Sequence, residues 1–321
     1  MHSVVVIGAR GYTGAELLPL LHRHPRFELV AIGSASAAGE AVNAHVSGMD
    51  DCQLEFQAIG PADLAAIGAE ACVLALPNGA ASGYVAALDA ARPETVIVDL
   101  SADYRFDAGW IYGQPERFAP QLAGARRIAN PGCYATGAQL ALAPLLDVLR
   151  GTPAVFGVSG FSGAGKTPSP KNDPDVLKDN LLPYKLADHI HEREDSRHIA
   201  RNIRFLPHVA PFFRGISLTV AATLAAGTSA AETIERFSDA YADCPLIRVR
   251  SDIPEVRQVR GTHGVIIGGF TVSEYDARRL SIVAVLDNLL KGAATQAVQN
   301  LNLAFGLEDL VGIETTGVNE T

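Results

Sequence analysis

Short apolar runs alternate with helical patterns through the first part of the chain. The runs that predict strands cover residues 4–7, 27–32, 71–76 and 96–100. Helical spacing or small-residue composition predicts helices over residues 15–24 and 82–91. Because strands that alternate with helices form a parallel sheet with helices on its faces, this pattern predicts an α/β unit that ends near Asn130.

The second part of the chain has a different pattern. Its strand-like runs cover residues 154–159, 216–224, 265–272 and 280–286, and loops rather than helices separate several of them. This favours an α+β domain with a largely antiparallel sheet. A helix predicted over residues 288–305 packs back on the first domain. The predicted domains are therefore 1–130 with 288–321, and 131–287.

Composition and charge narrow the class of protein. The 321 residues, 48% of them hydrophobic, are enough for a sizeable core in two domains. A formal net charge of −9 without a basic stripe argues against a nucleic-acid partner, and no apolar run reaches the ~18 residues of a membrane span. The chain enters a strand pattern at once, which leaves no room for a targeting peptide, and its four cysteines form no disulfide framework. These features predict a cytoplasmic protein.

A glycine-rich loop of the form G-x-x-G-x-x-G follows the first predicted strand and precedes the first predicted helix. Glycines let the backbone approach a pyrophosphate closely, and the N-terminus of the helix supplies N–H donors to it. The strand before the loop and the helix after it are the context that a dinucleotide site requires. The cofactor contacts predicted here are Gly8, Arg10, Gly11, Tyr12, Thr13 and Gly14.

The segment after the second predicted strand indicates which nicotinamide cofactor binds. NAD sites place an acidic residue there, on the ribose hydroxyl. This chain has Ser34 and Ser36 instead, and no acidic residue before Glu40. Because these hydroxyl groups and Arg10 can receive a 2′-phosphate, the sequence predicts NADP(H) rather than NAD(H).

Cys133 lies where a Pro-Gly turn ends and an apolar helical pattern begins. The pattern continues through Leu149, with an interruption at Pro144. A thiol at the start of a helix lies near the positive end of the helix dipole and near unpaired N–H groups, which favour its thiolate. A thiolate is a strong nucleophile for acyl groups. We therefore expect Cys133 to take up an acyl group that a bound nicotinamide cofactor reduces.

Acyl transfer to sulfur needs a group that accepts and returns the thiol proton. The candidates are His189 and His191, which acidic residues follow, and His208 further along. A turn-like backbone would let Glu194 orient one of the imidazoles. The residues alone leave the choice between His189 and His208 open. His189, His191 and His198 lack the H-E-x-x-H spacing and have no cysteine pair nearby, so no metal is predicted.

Two arginines are candidates for binding anionic substrate groups. Arg105 follows a predicted strand, and Arg214 lies within residues 211–216. A guanidinium group matches the geometry of phosphate and carboxylate groups, so either side chain would hold an anionic substrate.

Residues 160–167 read G-x-x-x-x-G-K-T, which is the expression for a nucleoside-triphosphate loop. Such a loop works only if a helix starts at its Lys-Thr pair. Pro170 and Pro174 oppose a helix there, and residues 166–175 instead predict a proline-rich loop. We interpret the motif as a glycine loop whose N–H groups face substrate or nicotinamide, with Gly163 as a cofactor contact.

Several segments taken together resemble the N-acetyl-gamma-glutamyl-phosphate reductase family of arginine biosynthesis. The most specific are the Cys133 segment and residues 189–194. Many relatives read His-Arg-His-x-Pro-Glu in the second of these. This chain keeps the two histidines and Glu194 and has Ile190, Glu192 and Arg193 at the three variable places. The matching segments are 8–16, 101–105, 130–137, 159–166, 169–174, 183–184, 189–194, 205–215 and 287–294.

The resemblance implies a Rossmann NADP-binding domain and an α+β catalytic domain of the glyceraldehyde-phosphate and aspartate-semialdehyde dehydrogenase type, in a homo-oligomer, either a dimer or a tetramer. By the family pattern Cys133 is the nucleophile, His189 serves the thiol, and Glu194 lies behind His189. Five further residues match family positions near the substrate: Ser159, Gly160, Tyr184, His208 and Arg214. Pro77 and Asn288 complete the predicted cofactor contacts.

The activity that the resemblance implies is NADPH-dependent reduction of N-acetyl-gamma-glutamyl phosphate to N-acetylglutamate semialdehyde and phosphate through a Cys133 thioester. A reductase of aspartyl or aminoadipyl phosphate is the alternative within the same chemistry. An NADP-binding sensor without enzymatic activity is the alternative from another class. Such a sensor would need neither a cysteine at a helix start nor the histidine–acid cluster.

Overall fold

A computed structural model describes residues 1–315 of the chain. The chain divides into two compact units, of which the first consists of Met1–Gly132 and Ala293–Glu314 and the second of Cys133–Gly292. Residues 288–292, which the sequence assigns to the first domain, lie in the second unit. Residues 316–321 of that predicted domain lie outside the described residues. Each unit contains one seven-stranded sheet, and the predicted α/β class is confirmed.

The first unit is built on a parallel sheet with the strand order β3-β2-β1-β4-β5-β7-β6. Its strands are β1 (His2–Ile7), β2 (Phe27–Gly33), β3 (Phe56–Gln57), β4 (Ala71–Leu74), β5 (Val96–Asp99), β6 (Ile111–Tyr112) and β7 (Arg127–Ala129). Its helices are α1 (Tyr12–His22), α2 (Pro61–Ile67), α3 (Ser82–Ala91), α4 (Pro115–Leu122) and, after the second unit, α9 (Thr295–Ala304). All four residues of β4 are buried, as expected of a parallel strand that is covered on both faces.

The C-terminal helix α9 completes the first unit. One turn of π-helix, Leu290–Ala294, precedes it, and α9 packs against α1, α4 and β5. The sequence prediction that the last helix packs on the first domain is therefore confirmed, although the α-helix begins at Thr295 rather than at residue 288.

The second unit is built on a mixed sheet with the strand order β12-β13-β14-β11-β8-β10-β9. Its strands are β8 (Leu149–Gly160), β9 (Leu182–Pro183), β10 (Arg204–Ala210), β11 (Ile216–Leu224), β12 (Ile247–Val249), β13 (Val265–Val272) and β14 (Arg279–Leu286). Its helices are α5 (Cys133–Leu142), α6 (Pro174–Leu177), α7 (Ile190–His198) and α8 (Ala230–Ala240). Most strand pairs are antiparallel, whereas β10 pairs with β8 and β12 pairs with β13 in the parallel sense.

Period-two alternation gives this sheet two different faces. In β11, Leu218 and Val220 are completely buried in the core, whereas Thr219 and Ala221 between them are exposed. Helices α5, α7 and α8 all pack on the buried face. The face with the core helices is called the inner face below, and the other is the outer face.

Helix α5 is shorter than the sequence predicts. It ends at Leu142, a 3₁₀ turn covers Ala143–Leu145, and Leu149 already begins β8. Pro144 cannot donate the backbone N–H that another α-helical turn would use, so the chain tightens and then turns into the sheet.

Candidate active site

The glycine loop of the first unit has the geometry of a dinucleotide cradle. Gly8 has φ +82°, and a Cβ atom there would lie 2.3 Å from the carbonyl oxygen of Ala75, so only glycine fits. Helix α1 begins at Tyr12 with Gly11 as its N-cap, and no side chain caps it. This N-terminus can therefore present its N–H groups to a pyrophosphate. Thr13 lies inside the helix and is not its cap.

Three of the predicted cofactor residues come together at the end of β2. The Arg10 Nη1 group donates to Ser36 Oγ at 3.5 Å, and the Ser34 and Ser36 hydroxyl groups are also 3.5 Å apart. Ser34 and Pro77 follow β2 and β4, so they lie with the glycine loop at the carboxyl edge of the sheet. A guanidinium beside two hydroxyl groups fits the 2′-phosphate that distinguishes NADP.

Arg105 is engaged within the first unit instead of being presented to a substrate. Its Nε group donates to the carbonyl oxygen of Asn130 at 2.9 Å, and its Nη2 group donates to that of Leu100 at 2.9 Å. The residue is only 7% exposed. Its place in the fold therefore fits a role in holding Asn130, which leads the chain toward Cys133, better than the predicted role as a substrate clamp.

Cys133 is the first residue of α5 and is partly exposed, whereas every other residue of the helix is buried. Gly292 packs against it, and a Cβ atom on Gly292 would lie 2.8 Å from Cys133 Cβ. The thiol thus sits at the N-terminus of a buried helix, where the dipole and free N–H groups favour negative charge. This is the placement that the sequence predicts for a nucleophile.

His189 is the N-cap of helix α7. Its Nδ1 atom accepts a hydrogen bond from the backbone N–H of His191 at 3.2 Å. A neutral imidazole that accepts at Nδ1 carries its proton on Nε2. Burial, followed by the nearby charges of Lys171 and Lys185, lowers the pKa of His189 to about 4. His189 is therefore neutral near pH 7 and presents an N–H donor from Nε2.

Two tyrosines connect Cys133 with His189. The Tyr134 ring, next to the thiol in sequence, lies 6.5 Å from the His189 ring between centroids, and the Tyr184 ring lies 5.5 Å from it. Burial raises the pKa of Tyr184, and negative charge at Cys133 raises it further. Tyr134 and Tyr184 interact with each other and pack beside the His189 ring, so the structure brings three predicted residues, Cys133, Tyr184 and His189, into one cluster within the second unit.

Acidic residues lie on the buried side of α7. Glu194 and Asp195 are both completely buried. Asp195 Oδ1 accepts a hydrogen bond from Gln139 Nε2 of α5 at 3.1 Å, which ties the histidine helix to the cysteine helix. Asp195 was not among the sequence candidates, although a second acid beside Glu194 is visible in the sequence. Glu194 lies five residues after His189 on a regular helix rather than in the turn that the sequence suggested.

Arg214 makes a buried ion pair instead of facing a substrate. Its Nε and Nη2 groups donate to the two carboxylate oxygens of Asp287 at 2.6 and 3.0 Å, and Asp287 has no exposed surface. Asp287 Oδ2 also accepts from the N–H of Gly261 at 2.8 Å. The predicted substrate role of Arg214 therefore conflicts with its partner, and the sequence offered no local signal that Asp287 lies opposite.

Asn288 is hydrogen-bonded to the glycine loop of the second unit, and its predicted cofactor contact stays a prediction. Its Oδ1 atom accepts from the N–H of Gly215 at 2.7 Å, and its Nδ2 group donates to Ser162 Oγ at 2.9 Å. Gly163 is exposed in the same loop. These bonds and the ion pair between Arg214 and Asp287 hold residues 288–292 in the second unit.

The loop after β8 is held closely against the Arg214 segment. A Cβ atom on Gly160 would lie 2.6 Å from the Phe213 carbonyl oxygen, and the Gly160 N–H donates to Gly215 at 2.9 Å. Gly160 is therefore required for packing, and its N–H is hydrogen-bonded within the protein.

No helix begins at Lys166. The next helix is α6, which starts at Pro174, and this agrees with the predicted proline-rich loop. Ser159 is buried on the inner face and interacts with Tyr134.

His208 lies apart from the other candidates. Phe205 of the same strand packs on Tyr134, with 4.9 Å between the ring centroids, on the inner face. His208 is three positions later in β10, so its side chain points to the outer face, where its ring is 4.4 Å from that of Phe156. The predicted substrate role of His208 does not agree with this placement, and only its carbonyl oxygen reaches the cluster, by accepting from the Tyr134 hydroxyl at 2.7 Å.

Within residues 1–315, no group of three histidine, cysteine, aspartate or glutamate residues converges as a metal site would require. No described helix is both long enough and apolar enough to cross a membrane.

Comparison with known proteins gives two family matches. Residues 3–125 match the model described as semialdehyde dehydrogenase, NAD binding domain, and residues 133–288 match the model described as semialdehyde dehydrogenase, dimerisation domain. The chain is 50% identical over 311 residues to the N-acetyl-gamma-glutamyl-phosphate reductase of Xanthomonas campestris pv. campestris (strain B100), covering 97% of this chain and 98% of that protein. It is 51% identical over 308 residues to the protein of that name from Stenotrophomonas maltophilia (strain R551-3), covering 96% of each.

Solved structures share the fold at lower identity. Aspartate semialdehyde dehydrogenase II of Vibrio cholerae, complexed with ASA, has a TM-score of 0.77 at 19% identity and covers 94% of this chain and 98% of its own. Aspartate semialdehyde dehydrogenase of Candida albicans, with NADP, has a TM-score of 0.73 at 17% identity with the same coverage.

Proposed function

We infer the activity from one premise: the chain belongs to the semialdehyde dehydrogenase family, in which its curated relatives are N-acetyl-gamma-glutamyl-phosphate reductases. It catalyses the NADPH-dependent reduction of N-acetyl-gamma-glutamyl phosphate to N-acetylglutamate semialdehyde and phosphate, in arginine biosynthesis. The observation that carries this proposal is the partly exposed thiol of Cys133 at the first residue of α5, in one cluster with His189.

Cys133 acts as the nucleophile. Its sulfur attacks the acyl carbon, the bond between that carbon and the phosphate oxygen breaks, the thiol proton leaves with the phosphate, and a thioester remains. Bound NADPH supplies the hydride that reduces this thioester. The resulting thiohemiacetal anion collapses to the aldehyde and the Cys133 thiolate, which takes up a proton from water. Covalent capture thus divides one difficult reduction into two easier steps.

His189 serves the reaction as a neutral hydrogen-bond donor. Its Nδ1 atom is occupied by the His191 N–H, so only Nε2–H is available to face the thiol and the substrate. A donor that is fixed before the reaction stabilises the negative charge that develops on the carbonyl oxygen and on sulfur. This refines the sequence expectation of a proton acceptor, because a second proton on His189 would have to displace the cap of α7. Glu194 supports the same helix from its buried side.

Phosphate-dependent reduction of NADP+ by two different semialdehydes tests which acyl phosphate is the substrate. We expect N-acetylglutamate semialdehyde to have a kcat/KM roughly 10²-fold or more above that of aspartate semialdehyde, because polar groups shaped for the acetamide and the longer chain stay unpaired with the shorter substrate. An equal or greater kcat/KM with aspartate semialdehyde would assign the enzyme to the alternative acyl phosphate.

A variant of Arg10 tests whether the enzyme prefers NADP(H) to NAD(H). Replacing it with alanine removes the cation beside Ser36. We expect KM for NADPH to rise about tenfold or more, because the variant loses a hydrogen bond to a charged group. KM for NADH should stay nearly constant. Arg26→Ala, another exposed arginine of the same unit, is the matched control. Equal effects of Arg10→Ala on both cofactors would contradict a 2′-phosphate contact.

The enzyme is a homo-oligomer that associates through the outer face of the second sheet. The second unit matches a dimerisation-domain model, and this face carries Phe156, which is 37% exposed, among the exposed residues Thr219 and Ala221. Light scattering should give two or four times the mass of one chain, whereas the mass of a single chain would contradict the proposal.

The enzyme functions in the cytoplasm. Cys52, Cys72, Cys133 and Cys244 are not joined by disulfides, which is the state that a reducing compartment maintains and that a thiol nucleophile requires.

A further inference from the structure

We propose that Lys171 binds the phosphoryl group of the acyl phosphate at the Cys133 site. The proposal rests on the function proposed above, and it gives a role to a residue of the family-like segment 169–174 to which the sequence assigned none. It assigns the leaving phosphate to a lysine of the proline-rich loop and not to either of the arginines that the sequence suggested.

Lys171 lies beside the cysteine–histidine cluster. Its Nζ atom is 4.8 Å from the centroid of the Tyr184 ring, in cation–π contact, and the same ring lies 5.5 Å from His189. The Lys171 charge also acts on the imidazole, since it is the larger of two lysine charges that lower the pKa of His189. No carboxylate of the described residues forms an ion pair with Lys171, so its charge is available to an anionic ligand.

The loop that carries Lys171 is ordered by its neighbour Asn172. The Asn172 Nδ2 group donates to the carbonyl oxygens of Gly165 and Thr167, both at 2.8 Å, and its Oδ1 atom accepts from the N–H of Ser169 at 2.8 Å. These bonds fix the loop on both sides of its prolines. The lysine is therefore held in position before substrate arrives, which lowers the entropic cost of binding an anion.

Both arginines considered for this task are held by groups of the protein. Arg214 forms its ion pair with the buried carboxylate of Asp287, and Arg105 donates to two backbone carbonyl groups. An acyl phosphate nonetheless brings a doubly charged group to the reacting carbon. In the second unit, Lys171 is a half-buried cation next to the cluster that contains the nucleophile.

The position of Lys171 favours the phosphoryl group over the substrate carboxylate. The phosphate is attached to the carbon that Cys133 attacks, whereas the α-carboxylate is several bonds away along the side chain. Lys171 lies over the Tyr184 ring, and that ring packs beside His189, so its charge lies at the reacting end of the substrate. As the bond to the leaving oxygen breaks, negative charge grows on the phosphate, and a nearby ammonium group stabilises it.

The adjoining segment stores backbone strain. Asp179, Lys185 and Asp188 have φ values of +51°, +45° and +57°, which residues other than glycine seldom adopt. Strain of this kind persists where surrounding structure enforces it and is concentrated at ligand sites. The segment carries Tyr184 between two strained residues and ends at His189. It therefore fixes the ring on which Lys171 rests.

The test compares Lys171→Gln, Lys171→Arg and the control Lys178→Gln in phosphate-dependent reduction of NADP+ by N-acetylglutamate semialdehyde. Lys178 is exposed at the end of α6, seven residues after Lys171, and does not belong to the cluster. We expect Lys171→Gln to raise KM for inorganic phosphate about tenfold or more, with KM for the semialdehyde changed less than about twofold. Lys171→Arg should restore most of the phosphate affinity, because it keeps the charge, and the control should match the wild type.

A second readout is independent of the substrate. Inorganic phosphate should slow alkylation of Cys133 by iodoacetamide in the wild type and in Lys178→Gln, but not in Lys171→Gln. If the semialdehyde is not oxidised but this Lys171-dependent protection is present, the phosphate site stands and the proposed substrate fails. An unchanged KM for phosphate in Lys171→Gln, or an increase confined to KM for the semialdehyde, would overturn the proposal.

Discussion

Replacing Cys133 with serine should abolish turnover. The hydroxyl group has nearly the size of the thiol but does not ionise at neutral pH, so the acyl group is not captured. We expect kcat to fall by at least about 10³-fold, the scale of losing a nucleophile. NADPH affinity, measured by fluorescence titration, should stay within about twofold because the glycine loop and Arg10 belong to the first unit.

The matched control for this prediction is Cys244→Ser. Cys244 is also a partly exposed cysteine of the second unit that forms no disulfide, and it lies on no element of the cluster. This variant should keep wild-type kcat. Wild-type activity in Cys133→Ser would contradict the thioester mechanism, and a loss of NADPH binding in it would point to misfolding.

Replacing Arg214 with methionine should destabilise the protein strongly. The change leaves the carboxylate of Asp287, which has no exposed surface, without its cationic partner. Breaking one side of a buried ion pair costs about 3–5 kcal/mol. For a unit of this size that corresponds to a Tm lower by about 10 °C, measurable by calorimetry or circular dichroism.

The double variant Arg214→Met with Asp287→Asn separates structure from substrate binding. Neutralising Asp287 removes the unpaired charge, so the double variant should recover part of the lost Tm. If Arg214→Met instead kept the wild-type Tm and raised KM for the acyl phosphate, the arginine would be a substrate clamp, as the sequence suggested.

The elements that the sequence predicts well are those whose signal is local. The apolar runs of β1, β4 and β5 and the alternation in β11 identify the strands, because burial of one or both faces fixes their composition. Cys133 was predicted as the first residue of α5 because the Pro-Gly turn and the apolar pattern meet there. The glycine loop was equally clear, since a strand and a helix flank it.

Contacts with residues that are distant in the sequence could not be predicted. Arg214 has a substrate-like position in the sequence, but its role is set by Asp287, which lies 73 residues later. His208 stands next to inward-facing residues, and only the register of β10 on β8 shows that it faces outward. Lys171 lies in a segment that resembles the family, but the segment does not indicate its partner, and the contact with Tyr184 emerges only when β9 brings that tyrosine to the cluster.

A single-turnover measurement without phosphate tests the central claim most directly. Wild-type enzyme is mixed with NADP+ and N-acetylglutamate semialdehyde in phosphate-free buffer, NADPH formation is followed by absorbance, and the protein is then digested for mass spectrometry. The account predicts a burst of NADPH equal to the number of active sites and an N-acetylglutamyl group on the peptide that contains Cys133. A burst with Cys133 unmodified, or no burst while the enzyme turns over with phosphate, would contradict it.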